Sequence, residues 1–199
     1  LLDPPSSTET QAVEPAAPQG KPVFGTTIRI VDDEGKPVAK DGNAVGHLRV
    51  KGNWCASGYL KRGDVSVLDH EGWLQTGDLA AITTDNALRI ADRAKDVIKS
   101  GGEWISSIDL ENAAISHPAV IEAAVIGVPH PRWQERPVLY VVAKSDKALS
   151  IEALLEHLAG LVAKWWLPEE IFFVPELPHN ATGKVRKDVL RTWYGDGIK

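Results

Sequence analysis

The sequence predicts an α+β protein in which a β-rich region, a small twisted sheet or partial barrel, precedes a small C-terminal α+β domain. Three observations carry that expectation. Residues 22–90 are short alternating runs punctuated by Gly and Asp turns. Beyond about residue 93, apolar strand-like runs interleave with stretches of helical spacing. The 199 residues are 43% hydrophobic and 25% charged, an ordinary globular balance with enough chain for one or two cored domains.

The elements follow in order. Residues 1–20 hold Pro4, Pro5, Pro15 and Pro18 among Ser, Thr, Glu and Ala, a composition that builds no core and reads as an extended, mobile segment. Segment 26–31 alternates before the turn Asp32-Asp33-Glu34-Gly35, segment 46–51 alternates again, and a third strand is expected over 79–83, after a Thr76-Gly77-Asp78 turn. The first two-domain boundary is expected at residues 92–96, giving segments 1–20, 21–92 and 93–199. In the last of these, Ser106 with Asp109 three residues on reads as a helix N-cap, and His117-Pro118 as that helix's end. Segments 120–128, 138–143 and 171–174 read as strands. Ser150 opens a helix whose apolar stripe runs from Ile151 to Val162, ahead of Pro168. A final helix is expected over 185–194. The expected core is Val125, Ile126, Leu139, Val141, Leu154, Leu158 and Phe173.

Composition excludes several classes. A net charge of −5 argues against a dedicated nucleic-acid binder or a polybasic anchor. Cys55 is the single cysteine, so no intrachain disulfide forms, which fits a reducing cytoplasm. No stretch reaches the roughly 18 apolar residues of a membrane span, and no signal peptide is visible. The histidines are scattered, with no metal-ligand spacing. A chain that starts at Leu1 and contains no methionine reads as a piece of a longer protein.

Three motifs carry chemistry. Pro178-His179-Asn180-Ala181-Thr182-Gly183-Lys184 places a lysine on a short glycine-flexed loop, where its mobile charge suits a phosphate. Gly72-Trp73-Leu74-Gln75-Thr76-Gly77-Asp78 offers a carboxylate able to accept from two hydroxyls, with Trp73 as a packing anchor. Asp92-Arg93-Ala94-Lys95-Asp96 then leads to Gly101-Gly102-Glu103-Trp104. Arg186 and Lys187 read as solvated surface charge. Asn180-Ala181-Thr182 fits a glycosylation sequon, which without a secretion signal is coincidence.

In this order and spacing the motifs resemble the C-terminal part of the adenylate-forming superfamily of acyl-CoA synthetases, peptide-synthetase adenylation domains and luciferase. The match extends over roughly residues 20–194, and Gly-Gly-Glu-Trp-Ile-Ser-Ser resembles its fatty-acyl-CoA synthetase branch. The resemblance implies a parent that converts a medium- or long-chain fatty acid, ATP and CoA through an acyl-adenylate to acyl-CoA, AMP and pyrophosphate. It implies Lys184 as catalytic and nucleotide-binding, Asp78 and Arg93 as nucleotide-binding, and Lys95 as the hinge about which the last domain turns between the half-reactions. Gly101, Gly102, Glu103 and Trp104 would face the CoA and acyl tunnel. Trp104 also reads as a core tryptophan. Lys99, Arg132 and Trp133 are further candidates for the CoA nucleotide, Arg132 equally for plain surface. The family's phosphate loop and its Tyr-Gly-x-Thr-Glu element are missing, so magnesium ligands are expected outside this chain and the chain alone is expected to be inactive. A homodimeric parent is compatible with the resemblance. An adenylate former for another acid, or a stand-alone nucleotide- or CoA-binding module, stays open.

Overall fold

Alternation in the first third of the chain builds an antiparallel meander. In the computed structural model, which describes residues 18–58, 67–144 and 149–197, β1 (Thr26–Val31), β2 (Gly46–Gly52), β3 (Leu74–Ile82) and β4 (Leu88–Arg93) form a four-stranded sheet in that order. Among the described residues it is an open sheet, with β1 paired to β2 and β4 to β3. Ile28, Ile30, Leu48, Ala80 and Ile82 bury one face, as period-two alternation requires. The Asp32 carboxylate accepts from the Glu34 and Lys36 amides, and Gly35 at φ 82° completes the β1–β2 turn. Trp73 lies beneath the Arg29 guanidinium, 4.1 Å from carbon to ring centroid. Positions 1–17 of the expected mobile segment lie outside the described residues. Next to them, Gln19 N–H donates to the Leu88 carbonyl at 2.8 Å and Gly20 bridges to Leu88.

The chain divides into compact units between Lys95 and Asp96. In the second unit, β5 (Ile98–Ser100) and β6 (Glu103–Ile105) form a short hairpin, followed by α1 (Ser107–Ile115). The long hairpin β7 (Val120–His130) and β8 (Gln134–Ala143) is the sheet's centre. After α2 (Ile151–Ala159) and a 3-10 turn at Lys164–Trp166, β9 (Glu170–Phe173) joins β8 in parallel, and α3 (Lys187–Gly195) closes the unit. Both sheet faces are covered. Val125, Leu139 and Val141 pack with α1 and α2 through Leu110, Leu154 and Leu158. The alternate residues Ala124, Ile126, Val138 and Tyr140 pack with Leu190 of α3. This is an α+β fold.

Several boundaries differ from expectation for identifiable reasons. β3 begins at Leu74, so Thr76-Gly77-Asp78 lies inside a strand instead of in a turn before it. α2 stops at Ala159 because Gly160 follows, a poor helix residue that serves as C-cap. Val162 is nonetheless 3% exposed, its amide bonded to the Leu158 carbonyl. Ile126 is in the core as expected, on the α3 face of the sheet. Phe173, expected in the core, is 40% exposed: it shares a face with buried Ile171 but is the last residue of β9.

Candidate functional site

The carboxylate candidate sits on a bulge. Against β2 the register of β3 passes from His47↔Leu79 to Arg49↔Gln75, so Thr76, Gly77 and Asp78 together oppose Leu48. Gly77 at φ 78° permits the excursion. Thr76 Oγ1 donates to the Leu48 carbonyl at 3.2 Å and accepts from the Asp78 amide at 3.1 Å, while Ala94 N–H donates to the Gly77 carbonyl. Freed from β2, Asp78 faces Arg93 across β4, with Arg93 Nε 2.9 Å from Asp78 Oδ1. The Asp78 side chain is 20% exposed and that of Arg93 55%. The structure therefore brings two of the nucleotide-binding candidates together as an ion pair. Lys95 is exposed and is the last residue before the division between units.

Lys184 stands at the tip of a hairpin. His179 pairs with Val185, Asn180 N–H donates to the Lys184 carbonyl at 2.9 Å, and Gly183 N–H donates back to the Asn180 carbonyl at 3.0 Å. With Gly183 at φ 78°, this is the three-residue loop in which a turn is closed by a left-handed glycine. Among the described residues the Lys184 ammonium has no ion-pair or hydrogen-bond partner, and the side chain is exposed. The hairpin runs straight into α3, which is fastened from below. Lys187 Nζ donates at 2.7 Å to both Glu111 Oε1 and Ser107 Oγ, and the pair's side chains are only 15% and 17% exposed. Arg191 Nη2 lies 2.8 Å from Asp96 Oδ1. Lys187 is thus no solvated surface charge. Arg186 is, paired with Asp188 at half exposure.

The glycine candidates make the β5–β6 turn. Ser100 pairs with Glu103, and Gly101 and Gly102 between them have φ of 61° and 88°. Two successive left-handed residues define the tightest hairpin turn, so both glycines are required by the backbone. A Cβ on Gly101 would also come within 3.1 Å of the Trp133 ring, whose carbonyl accepts from Gly101 N–H at 2.9 Å. Glu103 is exposed, and Trp104 is half-buried opposite Lys99.

Beside this turn lies a cleft of ≈ 370 Å³ lined by Ser100, Gly101, Glu103, Trp133, Arg136, Trp165 and Glu169. Trp133 and Trp165 are 39% and 42% exposed. Arg132 stacks on Trp133 at 4.5 Å. Arg136 is held by Ser100 Oγ and the carbonyls of Trp165 and Leu167, at 3.2, 2.7 and 2.9 Å. Arg136 and Trp165 escape the sequence reading. The pair Trp165-Trp166 just before Pro168 is the signal that was there, since adjacent tryptophans in a short turn cannot both be interior. Behind the sheet, Tyr194 donates to Glu170 at 2.7 Å, and this bond pushes its phenol up to about 12. Among the described residues no group of three or more His, Cys, Asp or Glu could hold a metal ion, and no helix is long and apolar enough to cross a membrane.

Residues 109–184 match the AMP-binding enzyme C-terminal domain. The 3-methylmercaptopropionyl-CoA ligase of Ruegeria lacuscaerulensis is 48% identical over 90% of this chain and 33% of its own. The medium-chain-fatty-acid–CoA ligase of Ectopseudomonas oleovorans is 44% identical over 89% of this chain and 32% of its own. ATP-bound MatB from Rhodopseudomonas palustris superposes with a TM-score of 0.82 at 31% identity, covering 92% of this chain and 36% of that one. The chain belongs to the adenylate-forming superfamily. It spans about a third of the length of the curated relatives it matches.

Proposed function

We propose that this chain is the C-terminal part of an ATP-dependent acyl-CoA ligase that activates a medium- or long-chain fatty acid through its acyl-adenylate. The observation that carries the reading is the Lys184 hairpin: an exposed ammonium without a partner among the described residues, on a loop fixed by hydrogen bonds. Adenylation brings a carboxylate onto the α-phosphate of ATP and builds negative charge on the phosphorus oxygens as pyrophosphate leaves. A preorganised cation stabilises that charge more than it stabilises the substrates. Asp78 accepts the ribose hydroxyls, and Arg93, already paired with it, fixes its orientation and adds positive charge beside the nucleotide.

Thioester formation then uses other residues. Trp133 and Trp165 line the cleft that would take the CoA purine, and Arg132, stacked on Trp133, supplies a charge for the CoA phosphates. The adjoining Gly101-Gly102 turn lets the pantetheine arm pass close to the backbone, with Glu103 and Trp104 next along it. Lys95 is the hinge between the two arrangements. Magnesium, which offsets phosphate charge in such reactions, would take its ligands from outside this chain.

A short thioether acid is the second reading, favoured by the 48% identity to the methylmercaptopropionyl enzyme against 44% for the fatty-acid enzyme. The test uses an enzyme that carries this chain in place of the matching third of the Ectopseudomonas ligase. That chimera should support acid-dependent pyrophosphate exchange and form acyl-CoA from C6–C16 acids, whereas the 199-residue chain alone should stay at background. Absence of acyl-CoA from every acid in a panel that includes thioether and aryl acids would refute the ligase reading.

A further inference from the structure

We infer that Asn180 is a positioning residue for Lys184, acting through its side-chain carbonyl oxygen. The inference rests on the reading of Lys184 as the adenylating cation. Every residue from Asn180 to Lys184 is exposed, so no apolar packing holds the tip of this hairpin. The nearest fully enclosed side chain is Leu177, at 3% exposure. What defines the tip is one atom. Asn180 Oδ1 accepts from the Thr182 amide at 2.9 Å, the Thr182 hydroxyl at 2.8 Å and the Lys184 amide at 2.9 Å. The Asn180 backbone adds a reciprocal pair, donating to the Lys184 carbonyl and accepting from Gly183. Asn180 therefore clamps Lys184 on both sides of its Cα, and the lysine leaves the tip in a direction set by that residue.

Two consequences distinguish this clamp from an ordinary surface turn. The Thr182 hydroxyl spends its proton on Asn180 Oδ1, so it belongs to the support of the loop and is not a donor directed at phosphate. The Asn180 Oδ1 bonds all stay inside the hairpin, so this oxygen acts through Lys184. A buried anchor below, Lys187 on Glu111 and Ser107, fixes where the hairpin joins α3. The clamp fixes the other end, where the charge has to reach the phosphate.

The experiment has two arms. In the 199-residue chain, amide hydrogen exchange at Thr182 and Lys184 should speed up in Asn180→Ala and return to the wild-type rate in Asn180→Asp, whose carboxylate oxygen occupies the acceptor position. In the chimeric ligase, Asn180→Ala should lower single-turnover adenylation on the order of 10- to 100-fold, the cost of a misplaced catalytic group. KM for ATP should change little, and thioester formation from presynthesised acyl-adenylate should be unaffected. Asn180→Asp should regain most of the lost rate. A wild-type adenylation rate in Asn180→Ala, or equal losses in both half-reactions, would overturn the positioning role while Lys184→Ala still impairs adenylation. If Lys184→Ala itself leaves adenylation intact, the underlying reading fails and the inference fails with it.

Discussion

Replacing Lys187 with alanine should destabilise the second unit far more than its position next to an exposed loop suggests. In the native chain its ammonium is 2.7 Å from both Glu111 and Ser107, at 15% side-chain exposure. The alanine variant leaves the Glu111 carboxylate, only 17% exposed, without that cation. Stripping one partner from a fully buried pair costs about 3–5 kcal/mol. Here residual solvent access and the bond that Glu111 keeps from the Val125 amide, at 2.8 Å, reduce the cost to about 2–3 kcal/mol. For a unit of roughly 100 residues that corresponds to a fall in Tm of about 10–15 °C. Thermal and urea unfolding of the chain, followed by tryptophan fluorescence, measures it. Arg186→Ala, removing a pair exposed at 50% and 64%, is the control and should melt close to wild type. Lys187→Met with Glu111→Gln, which removes both charges and keeps an acceptor for Val125, should recover most of the loss. A Lys187→Ala variant as stable as Arg186→Ala would refute the buried-anchor argument.

Other expectations follow from the same geometry. Gly101→Ala should destabilise the β5–β6 hairpin by about 1–2 kcal/mol, since a side chain there meets both a left-handed backbone and the Trp133 ring at 3.1 Å; Gly195→Ala, with nothing within 4 Å, is the neutral comparison in the same melts. Tyr194 is held protonated by Glu170, its pKa raised from 10.0 to about 12, so its contribution is complete below pH 10 and lost as pH rises from 10 to about 12. Solvent screening limits that contribution to about 1 kcal/mol, and wild type minus Tyr194→Phe should shrink toward zero over this window. Lys95→Pro in the chimeric ligase should separate the half-reactions, because proline fixes φ near −65°; acyl-adenylate should accumulate while acyl-CoA formation collapses, and wild-type rates in both steps would remove residue 95 as the hinge.

Much of the fold is legible in the sequence because its signals are local. Ser106 and Ser150 cap their helices as the spacing predicts, each accepting from the amide three residues on. The alternation over 26–31 is β1 to the residue. Strands buried on both faces are also readable as apolar runs, and Ile126 is in the core as expected, but which face each residue serves is not readable, and Phe173 falls outside the core. For Ile126 the face depends on α3, which begins at Lys187, far along the chain. The same holds for the sites. Lys184, Asp78 and the glycine turn announce themselves as motifs, whereas the bulge that turns Asp78 toward Arg93 exists only in the pairing of three strands. Lys187 reads as surface charge because its partners, Ser107 and Glu111, are about 80 residues distant in sequence.

The measurement that tests the central claim most directly is the effect of Lys184→Ala on each half-reaction of the chimeric ligase. Loss of a cation that serves the adenylating step should cost about 3–4 kcal/mol there, roughly 10²- to 10³-fold in single-turnover acyl-adenylate formation. Thioester formation from presynthesised acyl-adenylate should stay at its wild-type rate. Equal losses in both steps, or an adenylation rate that does not fall, would contradict the assignment of Lys184 and with it the reading of this chain as the mobile end of an acyl-CoA ligase.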